Sequence, residues 1–387
     1  MEQKTKTPIF YILGIVFIWR AVLWLFGFVA KNRFDLLPDP SYGKILPWNA
    51  PTHSLLALWA RWDSGFYLEI AKSGYFFDQA KGFYNTIFFP LYPMLIGAFS
   101  FIFNNSLVSS GIILSFIFTI LACIFLYKLA RLDLEDETAK RSIFYFLIFP
   151  AAIFLAAVYN ESLFVFLACA SFYFARKNKW LIAGAFGFFA ALTRPQGILL
   201  LPVLFLEYLE QREFSLKKLR LNILNLLWIP AGLITFMYYL HKKFGNAFLF
   251  FTQQSLFDRQ TNLFFSNLLQ TLKKYLTGFF FPHQDFFPEY LNRDIEFIFF
   301  AAFLILAIWI FFSFRMSYGF YILLGLLFPL LTGILTSIQR YTILLFPVFI
   351  FLAKLGRKQS INFAVTLIFS IFLGLFTILF INWYWAG

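Results

Sequence analysis

The sequence is poor in the residues that build disulfides and metal centres. Its 387 residues include two cysteines and three histidines. Cys123 and Cys169 lie inside apolar runs, which is typical of small buried hydrophobic side chains. The histidines, His53, His241 and His283, lack the spacing of metal ligands. We therefore expect no disulfide scaffold, no metal and no other cofactor.

Charge is also scarce, at 13% of residues, while 61% are hydrophobic. A soluble protein of this length cannot bury so much apolar surface, so lipid must cover much of it. The net charge of +13 does not indicate nucleic-acid binding, because the basic residues cluster in short segments between apolar runs, as topology signals do. We find no phosphate-binding loop, no dinucleotide fingerprint and no Ser-His-Asp order.

The apolar runs predict an all-α polytopic membrane protein with about eleven transmembrane helices. We interpret residues 1–387 as a single membrane domain, with a first span that is retained and not cleaved as a signal peptide. The run 88–103 contains Pro90 and Pro93, and we interpret it as a helix lying at the interface. The spanning runs are 9–29, 111–129, 143–158, 162–175, 180–192, 197–209, 223–240, 295–312, 320–335, 341–352 and 363–381.

The positive-inside rule supports this count, because eleven spans place the basic short segments on one side. The opposite short loops, around Asn160, Arg194 and Arg340, carry little charge. Two long segments, 30–110 and 241–294, then face outward as loops. The first carries interfacial helices and the most conspicuous acidic residue of the chain.

That residue is Asp63, in a polar stretch that follows the first span. One interpretation is structural: Asp63 caps a short helix from Ser64 to Ser73, and Gly74 ends it. The other is catalytic, with the carboxylate held at the membrane face and Tyr67 on the same side of the helix. The two interpretations are compatible.

Two further motifs break apolar runs. Tyr159-Asn160-Glu161-Ser162 is either a simple polar turn or a functional acid at the membrane edge, since an acid without a nearby cation in sequence is a site hypothesis there. Phe88-Phe89-Pro90-Leu91-Tyr92-Pro93-Met94 suits an interfacial anchor that shapes a groove for lipid.

Single arginines mark two outer turns, in Thr193-Arg194-Pro195 and in Gln339-Arg340-Tyr341. Each either contacts lipid headgroups or clamps a phosphate, for which the planar guanidinium is well suited. The segment 281–289, which includes His283, is either a lid or acceptor site or an ordinary amphipathic loop.

Several of these blocks together resemble the GPI mannosyltransferase II (PIG-V-like) family of GT-C membrane glycosyltransferases. The histidine that usually follows the Trp-Asp block in that family is absent here, where Gly65 and Phe66 stand. The matching blocks, in order, are Trp62-Asp63-Ser64-Gly65-Phe66 with Ile70-Ala71-Lys72-Ser73-Gly74-Tyr75, then Phe89-Pro90-Leu91-Tyr92-Pro93, Asn160-Glu161-Ser162-Leu163-Phe164, Thr193-Arg194-Pro195-Gln196-Gly197, and Arg340-Tyr341 with Phe346-Pro347.

The resemblance implies a GT-C fold and transfer of a hexose, mannose in the first instance, from a polyprenyl- or dolichyl-phosphate sugar to an acceptor hydroxyl on the outer face. It implies that Asp63 is the general base and that no metal is needed. Arg340 and Arg194 are expected to bind the donor phosphate. The remaining expected substrate-binding residues are Trp62, Tyr67, Tyr92, Asn160 and Glu161.

Two other classes stay open. A transporter or flippase of lipid-linked sugar places ionisable groups at the bilayer midplane and repeats its halves, whereas here the acids lie at outer loops and the halves do not repeat. A non-enzymatic scaffold is the third class. The expected partners are the donor lipid, membrane lipids and a glycan, lipid or protein acceptor. The expected location is a prokaryotic plasma membrane, or the ER membrane in a eukaryote.

Overall fold

A computed structural model of the chain describes residues 8–33, 55–78, 80, 82–260, 265–280 and 287–384. In these residues almost all regular structure is helical, as the composition predicts. The helices are α1 (Ile9–Arg33), α2 (Ser64–Ser73), α3 (Leu91–Ser100), α4 (Leu107–Ala130), α5 (Asp136–Ile148), α6 (Ile153–Ala156), α7 (Glu161–Arg176), α8 (Trp180–Thr193), α9 (Leu200–Glu210), α10 (Trp228–Phe244), α11 (Leu249–Thr252), α12 (Phe265–Phe280), α13 (Phe287–Ser313), α14 (Met316–Leu331), α15 (Ile338–Thr342), α16 (Pro347–Leu355) and α17 (Gln359–Ile381).

Five helices in the described residues are long and apolar enough to cross a membrane, and a sixth span is possible if one bent pair of helices is counted as a unit. The chain is therefore an all-helical, multi-pass membrane protein. The larger number of eleven spans stays a prediction. The five long segments are Ile9–Lys31, Leu107–Ala130, Leu221–Phe244, Arg293–Ser313 and Gln359–Ile381.

The prediction of one continuous helix is wrong for two apolar runs. The run 143–158 bends by 72° between α5 and the following segment Pro150–Ala156. Pro150 explains the break, since it offers no backbone N–H and forces the preceding Phe149 into an extended conformation, with φ −57° and ψ 142°. The run 341–352 is likewise divided, because α15 ends at Thr342 and α16 begins at Pro347.

The segment 241–294, predicted as an outer loop, is largely helical. It contains α11 and α12 and the beginning of α13. On α12, Asn267, Thr271 and Tyr275 recur at every fourth residue and are buried, while Leu269 and Leu276 are exposed. Lys273 and Lys274 are exposed on the same helix, and a helix that exposes both apolar and basic side chains suits a membrane interface.

The residues cluster into two compact units. Unit 1 comprises the described residues of 1–72, 91–179 and 349–386. Its central helix is α4, which packs against α1, α3, α5 and α7. Ser106 caps α4, because its Oγ accepts a hydrogen bond from the Ser109 N–H at 3.3 Å. Gly111 permits a close approach, since a Cβ there would lie 2.5 Å from Val158 Cγ1.

Unit 2 comprises the described residues of 73–90 and 180–348. Here α8 packs against α10, and α14 packs against α9, α12 and α13. A small antiparallel hairpin pairs β1 (Phe77–Asp78) with β2 (Phe83–Tyr84). The fully buried carboxylate of Glu207 accepts hydrogen bonds from Arg315 Nε at 2.8 Å and from Ser317 Oγ at 2.6 Å. This ion pair ties α9 to the start of α14.

Candidate active site

Asp63 stands at the entrance of α2, in the position predicted for a helix cap. Its backbone carbonyl accepts the first hydrogen bond of the helix, from the Phe66 N–H at 3.1 Å. The predicted helix from Ser64 to Ser73 is present, and Gly74 follows with a left-handed φ of 75°. The preceding Trp62 also has a left-handed φ, 55°. A non-glycine residue in that region is strained, and such strain is found preferentially at functional sites.

The hydroxyl of Tyr159 clamps the turn that carries Asp63. It accepts a hydrogen bond from the Asp63 N–H at 3.2 Å and donates one to the Arg61 carbonyl, also at 3.2 Å. A backbone hydrogen bond from Val158 N–H to the Trp59 carbonyl, at 2.8 Å, joins the same two segments. Val158 and Tyr159 therefore position the candidate base, Asp63. Our sequence reasoning missed this role, although Tyr159 directly precedes the Asn160-Glu161 motif.

The rings of Tyr67, Tyr92 and Tyr159 pack together beside this turn in unit 1. The Tyr67 ring meets the Tyr92 ring edge-on at 5.4 Å and the Tyr159 ring at 6.3 Å. The Tyr92 hydroxyl lies 2.7 Å from Ser115 Oγ and 3.1 Å from the Gly111 carbonyl on α4. Burial raises the pKa of Tyr92 well above its usual range, so this hydroxyl stays protonated. The structure thus brings Tyr67 and Tyr92 next to the Asp63 turn.

Asn160 and Glu161 begin α7, and both side chains are buried. A carboxylate in the first turn of a helix interacts favourably with the helix dipole. Glu161 also interacts electrostatically with Tyr92. Tyr92 and Glu161 are both fully buried.

Arg20 is a buried cation that our sequence reasoning did not single out. It lies in the middle of α1, where its Nη1 donates to the Ala156 carbonyl at 2.5 Å and its guanidinium lies 5.0 Å from the Trp59 ring centroid. It also interacts electrostatically with Tyr92. An arginine inside an apolar span is itself a signal of function, and this signal was available from the sequence.

The indole rings of Trp62 and Trp383 pack together at the N-terminal side of the Asp63 turn. The Trp62 and Trp383 ring centroids are 5.8 Å apart, and the Arg61 guanidinium lies 4.5 Å from the Trp383 centroid. Stacking of a guanidinium on an indole stabilises both groups. Trp383 thereby fixes the N-terminal side of the Asp63 turn.

Arg194 belongs to unit 2, where it follows the end of α8 and precedes the short 3₁₀ helix Pro195–Leu199. Its side chain is only 6% exposed, and its guanidinium lies 5.5 Å from the Tyr341 ring centroid. Gly197 closes this turn by donating its N–H to the Arg194 carbonyl at 3.0 Å. Arg194 is therefore held by a tight local turn.

Replacement of Gly197 by valine is expected to disrupt this turn. A Cβ at Gly197 would lie 2.4 Å from the Ala191 N and 2.5 Å from the Ala190 carbonyl carbon, and backbone atoms cannot move aside. We expect the variant to lose about 1–3 kcal/mol of stability, measured as a lower melting temperature in detergent. Gly14→Val, at a glycine with open space around its Cβ position, is the control. An unchanged melting temperature for Gly197→Val would contradict the packing argument.

Arg340 also belongs to unit 2 and is 6% exposed. It lies in α15, a single helical turn that begins after Ser337, whose φ is 72°. Arg340 directly precedes Tyr341 in α15, and the Tyr341 ring is the one that the Arg194 guanidinium approaches.

In the described part of the chain, no group of three His, Cys, Asp or Glu side chains is arranged to hold a metal ion. The predicted lid or acceptor segment 281–289 falls mainly in residues 281–286, which lie outside the described residues. Unit 1 holds the half-buried carboxylate of Asp63, and unit 2 holds the buried guanidinium groups of Arg194 and Arg340.

A family model and individual relatives of this chain all indicate the same family. Residues 48–352 match the family described as Mannosyltransferase (PIG-V). The GPI alpha-1,6-mannosyltransferase 2 of Cricetulus griseus is 28% identical over 243 residues, which cover 56% of this chain and 47% of that protein. The GPI mannosyltransferase 2 of Schizosaccharomyces pombe is 27% identical over 177 residues, which cover 44% of this chain and 37% of that protein. The chain thus covers less than half of either relative.

A solved structure shares the fold. The crystal structure of ArnT from Cupriavidus metallidurans, bound to undecaprenyl phosphate, matches with a TM-score of 0.51 at 15% sequence identity. The match covers 88% of this chain and 60% of ArnT. At this identity the likeness concerns the fold alone, and it supports the predicted GT-C-like architecture.

Proposed function

Since this chain belongs to the PIG-V mannosyltransferase family, we propose that it transfers a hexose, mannose in the first instance, from a polyprenyl- or dolichyl-phosphate sugar to an acceptor hydroxyl. The observation that carries the proposal is the placement of Asp63, which a strained turn and the Tyr159 hydroxyl hold at the start of α2. The undecaprenyl phosphate bound to ArnT is the kind of lipid phosphate that such a transfer releases.

In the proposed reaction Asp63 accepts the proton of the acceptor hydroxyl as its oxygen attacks the anomeric carbon. A general base must lie within hydrogen-bond reach of that hydroxyl. The bond between the anomeric carbon and the phosphate oxygen breaks, and the lipid phosphate leaves with one more negative charge than it had in the donor. The anomeric centre is inverted because attack and departure occur on opposite faces.

The developing charge on the phosphate calls for cations, and we assign this role to Arg340 and Arg194. Fixed charges in a water-poor site stabilise such a transition state without reorganisation. Trp62 and Tyr67 supply apolar faces next to Asp63, and Asn160 lies at the start of α7. Tyr92, whose ring contacts that of Tyr67, and Glu161 are proposed to bind substrate as well.

We further propose that the eleven predicted spans cross the membrane, with the runs 143–158 and 341–352 crossing as broken helices. Segments 30–110 and 241–294 then lie on the outer face of a prokaryotic plasma membrane. The basic residues between the apolar runs support this orientation. The positive-inside pattern is the reason for placing transfer on the outer face.

Transfer from a labelled polyprenyl-phosphate mannose by membranes that contain the protein tests the function. We expect labelled acceptor and free polyprenyl phosphate to appear together, and to appear in right-side-out vesicles but not in sealed inverted ones. Movement of intact donor across the bilayer without cleavage would instead support the flippase class. Transfer by inverted vesicles alone would reverse the proposed orientation.

A further inference from the structure

Arg20 occupies a position on α1 where the surrounding pattern predicts an apolar side chain. Ile12, Val16 and Leu23 recur on the same side of the helix, and all three are at most 1% exposed. Arg20 lies between them on this buried face and is itself 8% exposed. Burial of a guanidinium inside an apolar span costs free energy that an aliphatic side chain would not cost. The packing of α1 therefore does not explain why an arginine stands there.

The Arg20 guanidinium binds the end of a short helix. Its Nη1 donates to the carbonyl of Ala156, the last residue of α6, at 2.5 Å. Carbonyls in the last turn of a helix have no N–H partner within that helix. The next residue, Ala157, is extended, with φ −78° and ψ 172°, and the chain continues to Val158 and Tyr159. Arg20 thus fixes the point from which this segment starts, although it is 136 residues away in the chain.

The same guanidinium lies over the ring of Trp59, which belongs to the 3₁₀ helix Leu55–Trp59. The guanidinium carbon is 5.0 Å from the ring centroid, and Trp59 is fully buried. A cation–π interaction is stronger when its partners are shielded from water. Trp24, one turn further along α1, also packs on this ring, with the centroids 5.4 Å apart. Arg20 and Trp24 together attach α1 to the segment that leads into the Asp63 turn.

The two contacts of Arg20 belong to the two segments that hold the Asp63 turn. The Val158 N–H donates to the Trp59 carbonyl at 2.8 Å, which joins these segments directly. The Tyr159 hydroxyl then accepts a hydrogen bond from the Asp63 N–H at 3.2 Å. A shift of the Arg20 guanidinium would therefore move the two segments relative to each other and displace the Asp63 carboxylate.

The hydrogen bonding of Arg20 also argues against a purely stabilising role. Within the residues that the structure describes, its buried Nη2 has no hydrogen-bond partner. An unsatisfied buried donor lowers stability, and it does so more strongly when it belongs to a charged group. Proteins carry such costs preferentially at functional sites.

We propose that Arg20 is a positioning residue for the candidate base. By binding the Ala156 carbonyl and the Trp59 ring, it sets the spacing of the two segments that hold Asp63, and thereby the position of the carboxylate toward the acceptor hydroxyl. This inference rests on the proposed function, in which Asp63 is the base. In this role Arg20 touches neither the reacting atoms nor the donor phosphate, so its effect on the reaction passes through Asp63.

A double-mutant cycle of Arg20→Met and Asp63→Asn tests this dependence, with turnover at saturating labelled polyprenyl-phosphate mannose as the measurement. In the wild-type background we expect Arg20→Met to lower kcat by about 10- to 100-fold, as a displacement of about 1 Å at a reacting group does. In the Asp63→Asn background we expect a further loss of less than about threefold, because residues that act as a unit are not additive. A structural defect would lower kcat by the same factor in both backgrounds.

Further variants of the full-length protein separate positioning from other roles. Arg20→Lys keeps one donor and the charge, so it should recover part of the rate. Arg20→Met should bind undecaprenyl phosphate as the wild type does, since the proposed role involves no contact with the donor. Val16→Ala removes volume from the same buried face of α1, one turn from Arg20. We expect this control to lower the melting temperature and to keep kcat within about twofold of the wild type.

Equal factors in the two backgrounds overturn the inference, and so does a normal kcat in Arg20→Met. Lost affinity for undecaprenyl phosphate in Arg20→Met would also overturn it, because Arg20 would then act on the donor directly. A loss of kcat in Val16→Ala as large as that in Arg20→Met would assign the effect to loosening of α1 and overturn it likewise. In each case a wild type that transfers sugar leaves the proposed function standing. Should Arg20→Met fail to fold, Arg20→Gln, which loses the charge but keeps an N–H donor, replaces it in every comparison.

Amide hydrogen exchange distinguishes failure of this inference from failure of the proposed function, because it needs no activity. We expect the N–H groups of Asp63 and Val158 to exchange about tenfold faster in Arg20→Met, and those of α10 in unit 2 to keep the wild-type rate. A wild type that cleaves no donor refutes the proposed function, and the exchange rates then decide by themselves whether Arg20 fixes the Asp63 turn. Unchanged exchange at Asp63 and Val158 would overturn that role.

Discussion

Replacement of Asp63 by asparagine is expected to reduce sugar transfer by about 10²- to 10⁴-fold, the range that a positioned general base contributes. Asparagine has nearly the same shape as aspartate but cannot accept the proton of the acceptor hydroxyl. The remaining rate would come from binding and from stabilisation of the leaving phosphate. Initial rates with labelled polyprenyl-phosphate mannose, at saturating donor, measure the effect.

Asparagine also separates catalysis from helix capping. Asn and Asp cap helices about equally well, and the hydrogen bond to the Tyr159 hydroxyl comes from the backbone N–H of Asp63, not from its side chain. The variant should therefore keep the wild-type melting temperature and its affinity for undecaprenyl phosphate. Loss of transfer with normal folding would indicate that the carboxylate itself is required.

Glu69→Gln is the matched control for this experiment. Glu69 lies on the same helix, α2, and is also partly exposed, but its position is not one of those that share a helix side with Asp63. We expect transfer by Glu69→Gln within twofold of the wild type, as a surface substitution away from the site allows. Full transfer by Asp63→Asn would contradict the assignment of Asp63 as the base, whatever the control shows.

Arg340→Met should lower the turnover of bound donor by about 10²- to 10³-fold, the cost of removing one group that stabilises developing negative charge. The reason is that the lipid phosphate gains a charge as the glycosidic bond breaks, so Arg340 interacts more strongly with the transition state than with the donor. Arg340→Lys should recover part of the rate, because an ammonium supplies charge without the planar fork.

The kinetic pattern distinguishes this role from simple lipid contact. Replacing an arginine that only touches headgroups would change neither turnover nor donor affinity. We expect that result for the control Arg212→Met, because Arg212 is outside the proposed site and stacks on Tyr208, 3.5 Å from the ring centroid. An arginine that binds donor and transition state equally would raise KM and leave kcat unchanged. We expect kcat to fall, and a normal kcat in Arg340→Met would remove Arg340 from the proposed reaction.

The variants Asp63→Asn and Arg340→Met also serve as controls for each other. Asp63→Asn removes the proton acceptor and should leave undecaprenyl phosphate binding intact, whereas Arg340→Met should weaken it. Equal loss of binding in both variants would indicate a general disturbance of the fold in place of two separate roles.

Much of the local structure could be predicted from residue patterns. The bounds of α2 follow from a capping residue and a glycine stop, and long apolar runs predicted α4 and α17. The prediction of a continuous helix failed where a proline interrupted an apolar run, because the hydropathy of the run does not register that break. Pro150 bends the run 143–158 by 72°, because the missing N–H and the ring of proline interrupt the helical hydrogen bonds.

The candidate site could be predicted only in part. Arg194 and Arg340 were proposed because each is an isolated charge at the end of an apolar run, and Asp63 because it is the acid of the polar stretch that follows the first span. Arg20 carried a comparable signal inside a span and was overlooked.

Composition and local pattern by themselves determined that this protein is a helical membrane protein with an acid and two arginines at the ends of its apolar runs. The reason is that burial in lipid and helix capping depend on residues near one another in the chain. Tertiary structure alone decided that Tyr159 holds Asp63 from 96 residues away and that Arg20 reaches Ala156 across 136 residues. Such contacts depend on how distant segments pack, which no local periodicity records.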